Sequence, residues 1–141
     1  MEGKSIEELE VGQTDSFTKT ITEADVVLFG GVSGDLNPAH FNEEYAKNSL
    51  FKKRIAHGAL VASLFSTVLG THLPGMGTIY LQQDSKFVKP VYLGDTIKAT
   101  IEIAEILLDK NRVVCHTIAT NQNNEKVIIG KAVVMPPKKT I

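Results

Sequence analysis

Arg54-Ile55-Ala56-His57-Gly58-Ala59-Leu60-Val61-Ala62-Ser63-Leu64-Phe65-Ser66-Thr67-Val68-Leu69 is the stretch from which the rest of the chain can be read. From Gly58 onward it holds no Lys, Arg, Asp or Glu, and its apolar residues do not keep to one stripe. A helix that is apolar all round is a buried helix. The run therefore predicts a long central helix for the other elements to wrap. No formal charge falls between Arg54 and Asp84, so a membrane span has to be considered. Ser63, Ser66, Thr67, Gly70, Thr71 and His72 interrupt the run, and its continuous apolar part falls short of the ~20 residues a bilayer requires. The reading is a core helix, with no membrane partner.

Downstream the period changes to two. Ile79 and Leu81 alternate with polar neighbours, and Phe87-Val88-Lys89-Pro90-Val91 carries the strand toward a bend. Leu93-Gly94-Asp95 is a turn. Ile97, Ala99, Ile101 and Ile103 then alternate with Lys98, Thr100 and Glu102, the cleanest strand pattern in the chain. Turns at residues 109–112 and 121–124 lead into two further strands at residues 113–120 and 127–135. Upstream, Thr14, Phe17, Thr18, Thr20 and Ile21 form a β-leaning set, read as a first strand over residues 14–21. Thr22 is the N-cap of a helix with Glu23 and Asp25 in its first turn, expected to stop near Gly30-Gly31. Residues 33–40 follow as a loop: Pro38 disfavours the helical region for Asn37, so a fixed turn is expected. Asn42 caps a short helix after it.

One long helix beside a long antiparallel sheet is an α+β architecture, packed most simply by curling the sheet around the helix. Its edge strands must be covered or paired, which predicts a homodimer or a higher homo-oligomer built from dimers. The 141 residues suffice for one domain, read as spanning 1–141. A net charge of −1 gives no nucleic-acid footprint, which would appear as a basic excess. Cys115 is the only cysteine, and residues 1–8 hold no apolar stretch suited to a signal peptide. The expected location is cytoplasmic.

Asp35 and His40 are five apart, with Asn37 and Pro38 between them. A carboxylate beside an imidazole can hold one water and move its protons. Taken alone, Asp-x-Asn-Pro is an ordinary turn. The helix entry adds weight: the Gly58 N–H lies in the first turn, where it has no intrahelical partner, and without a Cβ the backbone can be approached closely. A donor at the positive end of a helix suits a developing oxyanion. His57 beside it is read as making a structural hydrogen bond rather than doing acid–base work. Asp35, His40 and His57 do not have the spacing of a strong metal site, so no metal is expected. Gly70-Thr71-His72-Leu73-Pro74-Gly75-Met76-Gly77 lacks the ending of a phosphate loop. Cys115 and His116 are strand neighbours facing opposite ways, not a dyad.

Ser33-Gly34-Asp35-x-Asn37-Pro38-x-His40, followed by Arg54-Ile55-Ala56-His57-Gly58, resembles the signature of MaoC-like hydratases and dehydratases, including R-specific enoyl-CoA hydratases. Phe87-Val88-Lys89-Pro90-Val91-x-x-Gly94-Asp95 also resembles that family's strand and turn, so the likeness covers nearly the whole chain. Phe29 stands where the family often has Tyr. The resemblance implies a hot-dog fold, a helix wrapped by a curved antiparallel sheet and commonly dimeric. It also implies Asp35 and His40 as the catalytic pair and the Gly58 N–H as donor to a thioester carbonyl. The reaction implied is reversible hydration of trans-2-enoyl-CoA to the (R)-3-hydroxyacyl thioester, with coenzyme A as part of the substrate and no other cofactor. An acyl-carrier-protein dehydratase, a hot-dog thioesterase and a non-catalytic acyl-thioester binder are the alternatives. Asn37 and His57 are assigned to the substrate's surroundings. Ala62, Phe65 and Leu69 share the Gly58 side of the helix at ~100° per residue and are expected beside the acyl tail. Lys52 and Lys53 are expected near the coenzyme A phosphates.

Overall fold

The computed structural model describes residues 2–139. Five strands form one antiparallel sheet in the order β1-β3-β4-β5-β2: β1 Thr14–Thr20, β2 Ile79–Phe87, β3 Thr96–Leu107, β4 Arg112–Thr120 and β5 Lys126–Met135. The helices are α1 Glu23–Ser33, α2 Pro38–Phe41, α3 Glu43–Ala46 and α4 Gly58–Thr71. The α+β expectation holds, and α4 lies in the curve of the sheet, packing on β1, β2 and β3. No helix among the described residues is long and apolar enough to cross a membrane.

The alternation read in β3 is the core itself. Ile97, Ala99, Ile101 and Ile103 are all at 0 % exposure, and they join Val61, Phe65, Val68 and Leu69 of α4 in one cluster. Each large side chain buried there contributes on the order of 1.5–3 kcal/mol. Cys115 points into this core, where burial pushes its thiol up to about 12, so it is no nucleophile. Thr117 on the same face is fully buried, and its hydroxyl is satisfied by Gln83 Nε2 at 3.0 Å. β2 and β5 approach closely at Gly130, which pairs with Ser85: a Cβ on Gly130 would lie 1.9 Å from the Asp84 backbone oxygen. Only glycine permits that approach.

Three expectations are corrected. Gly30 and Gly31 do not end α1, which runs to Ser33 and closes at Gly34 in the left-handed region (φ +80). Gly30 serves packing instead, since a Cβ there would meet the Phe41 ring at 2.4 Å. The segment before His40 is not wholly a turn. Asn37 is indeed non-helical (φ −52, ψ 126), but Pro38 begins the helical turn α2, because proline's fixed φ and missing N–H suit the first helical position. Finally, α4 is not buried all round: Ala59, Ser63, Ser66 and Thr71 are exposed, because the sheet of one chain covers only one side of it.

Candidate active site

Local hydrogen bonds aim the first carboxylate. Gly34 turns the chain out of α1, the Asp35 N–H donates to Ser33 Oγ (3.1 Å), and Asn37 N–H donates to Asp35 Oδ1 (3.2 Å). Asn37 Oδ1 in turn accepts from Ala39 N–H (3.1 Å) and caps α2. These contacts place Asp35 Oδ2 4.0 Å from His40 Nε2, with the carboxylate half exposed and the imidazole buried.

The other edge of His40 is fixed by the chain that enters α4. His40 Nδ1 lies 2.7 Å from the Ile55 carbonyl. A carbonyl can only accept, so the proton of the neutral ring sits on Nδ1 and Nε2 is bare toward Asp35. Arg54 holds the same turn from behind. Its Nε donates to the His40 carbonyl (2.7 Å), while its two terminal nitrogens clasp both Glu23 oxygens at 2.6 Å. The Arg54 hydrogen bonds keep the Glu23 carboxyl below its ordinary range, and Glu23 raises Arg54 in return. This clasp joins the start of α1 to α2. The sequence reading gave it no role, since nothing local marks two residues 31 apart as partners.

His57 completes the cluster. Its Nε2 is 2.9 Å from the Asp35 backbone oxygen, and its ring stacks on His40 at 3.9 Å between centroids. Phe29 and Phe41 pack around it at 4.8 and 5.7 Å. Its Nδ1 is buried with no hydrogen-bond partner among the described residues.

Gly58 follows directly and opens α4, with the Phe87 ring against it: a Cβ there would meet Phe87 Cε1 at 2.7 Å. It lines a cavity of about 530 Å³ bounded by Phe51, Ile55, Ala59, Phe87 and Pro90, among others. Asp35 and His40 are not on that wall; Ile55, whose carbonyl holds His40, links the two. A groove of about 470 Å³ runs between α4 and β2, where Ala62 lies beside Ala59, Ser63, Leu81 and Phe87. The structure separates the three helix residues expected along an acyl tail. Ala62 faces this groove, whereas Phe65 and Leu69 are enclosed in the core at 0 and 1 % exposure. Lys52 and Lys53 are exposed next to Phe51, with Lys53 Nζ 4.7 Å above the Tyr92 ring.

The family model described as MaoC like domain matches residues 8–126. The chain is 47% identical over 133 residues to an (R)-specific enoyl-CoA hydratase of Rhodospirillum rubrum, covering 94% of this chain and 92% of that protein. It is 42% identical to a 3-hydroxybutyryl-CoA dehydratase of Methylorubrum extorquens, covering 94% and 84%. Among solved structures, the unliganded R-hydratase PhaJ1 from Pseudomonas aeruginosa superposes with a TM-score of 0.92 at 46% identity, covering 98% of this chain and 88% of that one.

Proposed function

The chain belongs to the family of MaoC-like domains, and on that premise we propose that it reversibly hydrates trans-2-enoyl-CoA to (R)-3-hydroxyacyl-CoA. The observation that carries the reading is the 4.0 Å gap between Asp35 Oδ2 and the bare His40 Nε2. A water about 2.8 Å from each would subtend roughly 90° across that gap, near its own H–O–H angle. Both of its protons then point at acceptors, and an oxygen lone pair is left to attack C3. As the C3–O bond forms, the dyad takes one proton and charge shifts through C2 to the thioester oxygen. The Gly58 N–H at the head of α4 is the donor assigned to that oxygen. The proton returns to C2 on the same face. The (R) outcome follows the relatives' named specificity.

No metal is assigned a part. The candidate ligand atoms of Asp35, His40 and His57 lie within 4.8 Å of one another, a looser limit than the roughly 3.4 Å between ligands bound about 2.1 Å from a tetrahedral zinc. Coenzyme A itself enters only as part of the substrate.

The homodimer is assigned to the β2 edge. That strand ends the sheet and exposes Ile79, Tyr80, Leu81 and Phe87. The opposite edge, β1, exposes no large hydrophobic side chain, so pairing there would bury little apolar surface. A cytoplasmic location remains our reading from the single buried cysteine.

Incubation with crotonyl-CoA, following enoyl absorbance alongside free thiol, tests the activity. Loss of absorbance without thiol is expected. Thiol release would indicate a thioesterase, and neither signal a binding module.

A further inference from the structure

His57 has no part in the steps above, yet its ring touches both members of the dyad. Its Nε2 meets the Asp35 carbonyl at 2.9 Å, and its face lies 3.9 Å from the His40 ring. We propose that His57 is a positioning residue that sets the separation of Asp35 and His40, holding one by its N–H and backing the other with its ring. This inference rests on the hydratase reading of the dyad.

The remaining contacts of the two residues show why such a tie is needed. Asp35 is held through its N–H and Oδ1 by Ser33 and Asn37, both two residues away. Neither contact anchors the loop to the rest of the molecule. The His57 hydrogen bond spans 22 residues and connects the loop to the start of α4. His40 is held along its Nδ1 edge by Ile55 and at its backbone by Arg54. Those contacts leave the tilt of the ring to whatever lies against its face, which is His57.

The chemistry of the buried ring points the same way. The Asp35 carbonyl can only accept, so Nε2 carries the proton and Nδ1 is a bare acceptor. That acceptor is enclosed and unpartnered among the described residues, in a ring 2 % exposed with Phe29 and Phe41 around it. Packing alone would be served better by phenylalanine, which strands no buried polar atom. An imidazole supplies two things at once: an N–H edge and a flat face. Glutamine offers only the first and phenylalanine only the second.

The test measures kcat and KM for crotonyl-CoA in His57→Ala, His57→Gln and His57→Phe, with thermal unfolding as a check on each. His57→Ala is expected to lose about 10²-fold in kcat, the scale of an ångström-level misplacement, with KM within about threefold of the wild type. The Gln and Phe variants should each recover part of that loss. In the wild-type protein, ¹⁵N NMR should report the Nε2–H tautomer for His57 and the Nδ1–H tautomer for His40. Full kcat in any folded variant would overturn the proposal, since each lacks at least one contact; so would a change confined to KM. The opposite His57 tautomer would overturn it even if no variant folds. A wild-type protein that does not hydrate crotonyl-CoA would instead refute the hydratase reading.

Discussion

Replacing Gly58 with alanine separates a steric role from a structural one. The added Cβ would stand 2.7, 2.9 and 3.2 Å from three atoms of the Phe87 ring. Carbon pairs rest at about 3.5–4.0 Å, so the ring must retreat by roughly 1 Å. Phe87 is 56% exposed and has room to swing outward. A rotation of about 30° off its rotamer costs about 0.5–1.5 kcal/mol. Removing a glycine from a helix returns about 0.5–1 kcal/mol, less at the first helical position. The two nearly cancel, so the melting temperature should move by no more than about 3 °C. Turnover should respond quite differently. If the thioester oxygen sits about 2.9 Å from the Gly58 nitrogen, the new methyl group and the displaced ring both crowd its approach. Loss of one oxyanion donor costs about 10²–10³ in kcat, and the expected fall on crotonyl-CoA is about 10²-fold. Adding Phe87→Ala removes the ring from the comparison: turnover should stay low if the methyl group itself blocks the carbonyl. A folded Gly58→Ala protein with turnover within about threefold of wild type would refute the assignment of this N–H. Recovery in the double variant would move the cause to Phe87.

Asp35→Asn and His40→Gln should each lower kcat by about 10²–10⁴ with little change in melting temperature, and the double variant should be little worse than either if the two act on one water; near-normal turnover in either single variant counts against the pair. Gly130→Ala should be the contrasting case, a stability defect within the sheet. Its Cβ would overlap a backbone oxygen at 1.9 Å, so destabilisation of about 3 kcal/mol or more is expected, and an unchanged thermal midpoint would show that β2 can shift freely. Replacing Lys52 and Lys53 with alanine should raise KM for enoyl-CoA with kcat steady, and the rise should shrink at high salt, since exposed charges are screened beyond about 10 Å at 0.1 M; a KM that does not move would place the coenzyme A phosphates elsewhere.

Much of the fold was legible because it depends on period and caps, which are local. Alternation of Ile97, Ala99, Ile101 and Ile103 marks a strand with one buried face whatever lies beside it, and all four are indeed fully buried. The Thr22 cap was equally readable: its hydroxyl accepts from the Asp25 N–H, and the Asp25 carboxylate accepts from the Thr22 N–H. The pair Asp35 and His40 was visible as a spacing, and their juxtaposition follows from the Asn37 cap and the Pro38 turn between them. Glycine was the least readable signal. Gly30 looked like a stop and proved to be a packing site for Phe41, because the sequence does not say what approaches a missing Cβ.

Local sequence was enough to give the inward face of β3, the starts of most elements, and a carboxylate and an imidazole ahead of a long apolar helix, but not the exposed side of α4 or of β2. Tertiary structure alone decided the neighbours. Periodicity states which side of a strand is buried but not which strand lies next to it, so the pairing of β2 with β5 rather than with β3 was not readable. The same holds for the clasp of Arg54 on Glu23 and the stacking of His57 on His40. Each joins residues far apart in the chain, and their separation is set by how the sheet curves around α4 and leaves one side of it open, a property of the packed whole that no local stretch of residues encodes.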